Sequence, residues 1–199
     1  GAGPSGLSAA ATLAERGHEV HLFDQSHELG GQFNLAKRIP GKSEFGETLR
    51  YFTHRLAELQ VQLHLGKKAS AKDLAQENFD DIVVATGIRP RTPKIEGLAL
   101  AMENKKAVSY IQVIRGEVEV QDRVAIIGAG GIGFDVAKFV LEKMKGKYEK
   151  NSSHEQLSSF EKEWGISRNP QMAGGLQPAK PFLLGENNPC GIYLMQRKA

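Results

Sequence analysis

The run Gly1-Ala2-Gly3-Pro4-Ser5-Gly6 constrains this chain more than any other stretch. Glycines at 1, 3 and 6 fit the pattern G-x-G-x-x-G. Leu7, Ala10, Ala11 and Ala14 follow at helical spacing, and Gly17 is placed to end that helix. Val20, Leu22 and Phe23 then read as a strand that closes on an acid, Asp24. The order has a physical reason. Gly1 lets the backbone turn sharply, Gly3 lets a pyrophosphate approach the main chain, and Gly6 lets the helix pack closely on a sheet. The helix N-terminus offers free N–H groups to phosphates. Asp24, about 20 residues on, stands where it can accept from ribose hydroxyls. Glycines, helix, strand and acid in this order predict a dinucleotide-binding unit.

Such a fingerprint normally follows a buried strand, yet Gly1 is the first residue given. The expectation is therefore a piece of a longer protein whose first strand lies before Gly1.

The 199 residues have length enough for one large domain or two small ones. Hydrophobic residues at 40% and charged residues at 25% are ordinary globular values. A net charge of +3 is too small to argue for nucleic acid, and the doublets Lys67-Lys68 and Lys105-Lys106 lack interleaved aromatics. No apolar run approaches the about 18 residues of a membrane span. The single cysteine, Cys190, rules out a disulfide framework within these residues and suits a reducing cytoplasm.

After Asp24, Gly30-Gly31 and Pro40-Gly41 mark a long irregular connection. A helix is expected from about Glu44 to Leu59, with Phe45, Leu49, Phe52, Leu56 and Leu59 on one stripe. Residues 61–65 alternate, so Gln62 and His64 should form the wet face of a strand. Residues 81–87 read as a buried parallel strand ending in a glycine turn. From Leu98 to Gln121 the chain has the character of a connection.

A second fingerprint stands at 124–133. The strand Val124 to Ile127 runs into Gly128, Gly130 and Gly133, with a helix to about Lys143 behind them. One such unit binds one dinucleotide, so two units imply two, most economically a flavin and a nicotinamide exchanging hydride. The expected fold is α/β, with two Rossmann-like units, both incomplete, over residues 1–110 and 111–199. Lys145 to Pro189 reads as an insertion. Residues 191–198 look like a strand ending in two bases. If that is the second strand of the second unit, Arg197 and Lys198 stand where the first unit has its acid. Bases there accommodate a 2′-phosphate and so NADP, whereas an exposed basic tail is the other reading.

No Cys-x-x-Cys is present, which argues against flavin reductases that use their own dithiol. The histidines have no metal-ligand spacing, and no residue is assigned as a catalytic acid, base or metal ligand. The chemistry expected of the chain is redox, carried by cofactors.

Assembled, these residues closely resemble the bacterial-type NADPH-dependent 2,4-dienoyl-CoA reductases, iron–sulfur flavoenzymes. The resemblance is carried by GAGPSGL, HLFDQSHELGGQFNLAKRIPGK, ETLRY, the RPRTP run at 89–93, VAIIGAGGIGFDVA, EWGI with the later AGGL, and LMQRKA. Flavoproteins joined to an old-yellow-enzyme barrel, such as trimethylamine dehydrogenase, share the fingerprints and are the near alternative. The resemblance implies a barrel with FMN and the acyl-CoA site, a [4Fe–4S] cluster, and then FAD and NADPH domains, of which these residues hold only the last two in part. It places FAD contacts on Ser5, Asp24, Gln32 after Gly31, Lys42 and Ala69, and NADPH contacts on Arg197 and Lys198. Hydride would pass from NADPH to FAD, and electrons onward through the cluster and FMN to the dienoyl thioester. The isolated 199 residues are expected to be inactive, and a nucleotide-binding module without redox activity is the alternative from another class.

Overall fold

The computed structural model describes residues 1–148, 161, 165–169, 171 and 191–196, the side chains of 145–148 excepted. They fall into two compact units, Gly1–Glu119 and Val120–Ala199.

In the first unit, α1 spans Pro4–Glu15. Proline suits the first helical position because its missing N–H has no intrahelical partner there. The helix ends in a Schellman turn: the Gly17 N–H donates to Ala14 and the His18 N–H to Leu13, with Gly17 at φ +89°. β1 (His21–Asp24) pairs in parallel with β2 (Gln62–Leu65), with His21 opposite Gln62 and Asp24 opposite Leu65. Between them runs α3 (Phe45–Glu58), whose Leu49 and Leu56 meet Leu7, Ala10 and Ala11 of α1 and Leu22 of β1 in one core. Leu7 and Leu56 are fully buried, each worth about 1.5–3 kcal/mol over an exposed position. At the surface, Arg55 reaches Glu15 at 2.7 Å, which adds about 0–1 kcal/mol.

The connection from Asp24 to α3 is less irregular than the sequence suggests, because it holds a short helix, α2 (Phe33–Ala36). Ser70 caps α4 (Ala71–Gln76) with a capping box. Residues 98–121, expected as a bare connection, carry α5 (Leu98–Glu103) and α6 (Tyr110–Arg115). α6 buries Val113 and Ile114, and the Arg38 guanidinium donates to the carbonyls of Ile114 and Arg115 at 3.3 and 3.2 Å. These contacts tie α6 to α2 within the first compact unit, Gly1–Glu119.

Two further expectations need correction. Residues 81–87 form no strand, and Ile82, Val83 and Val84 are 53%, 60% and 78% exposed. A strand apolar on both faces is buried only when a neighbour pairs with it, and no described strand does. His64 is not on a wet face. It is half-buried, its ring stacked on Phe23 at 4.3 Å and on His21 at 5.2 Å, while Leu63 is exposed. Ring stacking outweighs the alternation there.

In the second unit, β3 (Arg123–Ile127) leads into α7 (Gly131–Tyr148), which extends past the expected end near Lys143. β4 (Gly191–Met195) pairs in parallel with β3, Arg123 opposite Gly191 and Ile127 opposite Met195. Residues 191–195 are thus the strand beside β3. Val136, Ala137, Phe139, Val140 and Met144 form the buried stripe of α7. Most of the expected insertion, with Trp164 and Cys190, lies outside the described residues.

Candidate functional site

Both glycine turns are built alike. A Cβ added at Gly6 would lie 1.7 Å from the Gly1 carbonyl oxygen, and one at Gly133 would lie 1.8 Å from that of Gly128. The third glycine of each fingerprint therefore sits in a van der Waals gap against the first, and only hydrogen fits. The middle glycine behaves in the opposite way. A Cβ at Gly3 or at Gly130 meets nothing within 4 Å, so each turn presents open space above its centre. The helical ladder of α1 begins with the Leu7 N–H on the Gly3 carbonyl, which leaves the N–H groups of Ser5 and Gly6 ahead of it. In α7 the corresponding bond is Phe134 to Gly130. Open backbone, N–H groups at a helix start and the positive end of the dipole fit a diphosphate in both places.

Around the first turn three loops meet. Ala2, fully buried, donates its N–H to Asp24 Oδ2 at 2.6 Å and accepts from the Gly30 N–H at 2.8 Å. Oδ1 of Asp24 accepts from the Ser26 N–H at 2.7 Å. The chain leaving β2 joins them, with the Lys67 N–H on the Asp24 carbonyl at 2.9 Å and the Gly66 N–H on that of Ser26 at 2.8 Å. Each carboxylate oxygen keeps a second lone pair, which suits a pair of ribose hydroxyls. Gly31 packs so tightly that a Cβ there would stand 3.0 Å from the Gly3 Cα.

The structure therefore brings Gly1, Gly3, Gly6, Asp24 and Gly31 to one place. Ser5 is exposed on the first turn of α1, and Gln32 follows Gly31 as the exposed residue before α2. Lys42 stands further along, in the turn before α3, with its N–H on the Ile39 carbonyl. Ala69 is half-buried just before the cap of α4. Gly128, Gly130 and Gly133 form the second turn, where the Gly128 N–H donates to the Met195 carbonyl at 2.8 Å. Arg197 and Lys198 lie outside the described residues.

Sequence reasoning missed Ala2 and Gly30 as parts of the site. Gly30 has φ +119°, and a Cβ there would press on Leu49 and Asn34 at 2.7 and 2.9 Å. The doublet at 30–31 was a signal for a tight approach, but not for what it approaches.

Residues 1–153 match the family described as pyridine nucleotide-disulphide oxidoreductase. The chain is 37% identical over 144 residues to a bilirubin reductase of Mediterraneibacter gnavus, covering 71% of this chain and 22% of that protein. It is 34% identical over 145 residues to an NADH oxidase of Thermoanaerobacter brockii, covering 72% and 22% respectively. A solved structure of a 2-naphthoyl-CoA reductase with 2-naphthoyl-CoA superposes with a TM-score of 0.67 at 35% identity, over 72% of this chain and 21% of that one. The chain thus spans about a fifth of the length of these relatives. No helix among the described residues is long and apolar enough to cross a membrane.

Proposed function

The chain belongs to the pyridine nucleotide-disulphide oxidoreductase family, and we propose that it is the electron-input part of an enzyme of the NADPH-dependent 2,4-dienoyl-CoA reductase type. In this reading the first turn holds FAD, the second holds NADPH, and hydride passes from NADPH to FAD. The observation that carries it is the repeated glycine geometry, Gly6 against Gly1 and Gly133 against Gly128, each with open space over the middle glycine. Two diphosphate cradles call for two dinucleotides.

Bound FAD supplies a two-electron acceptor; the chain's own residues bind and orient. Asp24 holds the adenosine ribose, the N–H groups at the start of α1 hold the diphosphate, and Gly31 and Gln32 lie over it. Lys42 and Ala69 are assigned as further FAD contacts on the resemblance. β4 and β3 are in register to Met195, and the Gly128 N–H reaches the Met195 carbonyl. The chain thus leaves β4 beside the second turn, which supports Arg197 and Lys198 as partners of a nucleotide 2′-phosphate.

The acyl-CoA class draws support from the 2-naphthoyl-CoA reductase likeness, which is to an enzyme named for an acyl thioester. The barrel with FMN and the acyl-CoA site, and the [4Fe–4S] cluster, are assigned to parts of the enzyme other than these residues, whose single cysteine does not make a four-cysteine ligand set. Cytoplasmic location is part of the same reading.

The test uses the full-length enzyme under anaerobic conditions. NADPH should bleach the bound flavin, and adding a 2,4-dienoyl-CoA should restore its absorbance. Flavin that NADPH leaves oxidised dismisses the electron-input role. Flavin that is reduced but not reoxidised by the thioester dismisses only the substrate.

A further inference from the structure

Two segments of the first unit that lie far apart in sequence, residues 29–42 and α6, are joined by one side chain. The first segment holds Gly31, Gln32 and Lys42, which the proposed function assigns to FAD. It starts at the glycine turn. The Gly30 N–H donates to the Ala2 carbonyl at 2.8 Å, and a Cβ on Gly31 would stand 3.0 Å from the Gly3 Cα. Asn34 then braces the segment from within. Its Nδ2 donates to the Leu29 carbonyl at 2.7 Å, and its Oδ1 accepts from Lys37 Nζ at 2.8 Å. Leu35 and Ile39 are its buried side chains, and Arg38 between them turns outward and is exposed.

α6 depends on its neighbours. Its six residues are well short of the about 12–15 that an isolated helix needs to hold in water. The N-terminal end is closed locally, by the capping box of Ser109 and Gln112. At the other end Gly116 takes φ +75°, and the N–H groups of Gly116 and Glu117 donate back to Val113 and Gln112. The carbonyls of Ile114 and Arg115 belong to the last turn, which has no helical donors for them. Arg38 serves both, at 3.3 and 3.2 Å. Its positive charge also suits the negative end of the helix dipole. α6 is the last helix before the second unit begins at Val120.

We propose that Arg38 is a positioning residue that passes occupancy of the first glycine turn on to α6. A diphosphate over Gly3 lies against Gly31 and holds the braced segment in one place. Arg38 is then fixed at the end of α6, and the helix stays formed. With the turn empty, the segment and α6 loosen together, so ligand binding is felt as order at a distance. Filling the first site thereby orders the residues that lead toward the second unit. The proposal rests on the FAD reading of the first turn and adds a residue to which that reading gives no role. Because the guanidinium is exposed, it can be replaced without opening the core.

The experiment reads amide hydrogen exchange in the full-length enzyme with FAD bound and after its removal, for the parent, Arg38→Ala and Arg38→Lys. In the parent, FAD should slow the amides of Asn34, Leu35 and Ala36, and also those of Val113, Gly116 and Glu117, by about tenfold. In Arg38→Ala the first group should keep its response to FAD and the second should lose it. Arg38→Lys still brings a cation to the helix end and should keep part of the second response. A merely structural arginine would make α6 exchange faster by the same factor with and without FAD, and that result overturns the proposal. Slowing of the first group alone in the parent also overturns it, while leaving the FAD reading intact. Slowing of neither group removes the FAD reading and the proposal together.

Discussion

Oδ2 of Asp24 accepts a hydrogen bond from the main-chain N–H of Ala2 at 2.6 Å, tying the end of β1 to the glycine turn. The acid thus holds the glycine turn in place, while each of its oxygens keeps a lone pair for a further donor. Asp24→Ala leaves the buried Ala2 N–H without its acceptor and removes the proposed ribose partner. Charge-assisted hydrogen bonds contribute about 1.5–3 kcal/mol. FAD affinity in the full-length enzyme should therefore fall about ten- to hundred-fold. Asp24→Asn keeps one oxygen acceptor and should recover part of the loss. Flavin content after extensive dialysis is the measurement, and full retention by Asp24→Ala removes Asp24 from the site.

The glycines of the first turn should separate stability from binding. Gly6→Ala drives a Cβ into the Gly1 carbonyl, so the turn must open; overpacking of this kind costs about 1–3 kcal/mol. The variant should melt lower and lose flavin together. Gly3→Ala meets open space at φ −77°, a conformation that alanine adopts freely. Its methyl would instead enter the open space proposed for a phosphate. It should melt like the parent and still bind FAD more weakly. A Gly3→Ala variant with unchanged flavin affinity would show that the diphosphate lies elsewhere.

Those two glycines also show what was legible in the sequence. The fingerprint predicted a strand-to-helix turn at 128–133 and a helix after Gly6, because only glycine permits such close approach. The apolar run at 81–87 predicted a buried strand, and the structure shows neither strand nor burial there. Hydrophobicity records that Ile82, Val83 and Val84 need covering and is silent on which strand covers them. α2, α5 and α6, at 4, 6 and 6 residues, are too short for a 3.6-residue period to show. The tie between Ala2 and Gly30 was invisible because it is made by backbone atoms that every residue carries.

Stability should weaken in mild acid through His64. Burial first, then the facing His21 and Lys67, holds its pKa below the ordinary 6.5, with Glu77 acting the other way. His64 shares a 3.1 Å ring nitrogen contact with His21, which also faces Glu19 and Phe79. The unfolded chain therefore takes up a proton near pH 6.5 that the folded chain refuses until lower pH. Unfolding is favoured wherever the unfolded state binds more protons. The stability present above pH 6.5 should decline as pH falls through that value. His64→Gln, which does not titrate, should flatten the decline. Urea midpoints at neutral and mildly acidic pH would decide it, and an equal drop in parent and variant assigns the effect to other groups.

Nucleotide preference should depend on Arg197 and Lys198. β4 ends at Met195 beside Gly128, so the residues that follow start from the same end of the sheet as the second turn. In the first unit that place, the end of the strand β1, carries Asp24. A carboxylate accepts from a free ribose 2′-hydroxyl and repels a 2′-phosphate; a basic pair attracts the phosphate. Each charge-assisted bond is worth about 1.5–3 kcal/mol. Replacing both residues by alanine in the full-length enzyme should raise the KM for NADPH about ten- to hundred-fold. NADH, which has no phosphate to lose, should change far less, so the ratio of the two nucleotides carries the information. Parallel losses for NADPH and NADH would mean that the pair supports the fold of the second unit and does not read the 2′-phosphate.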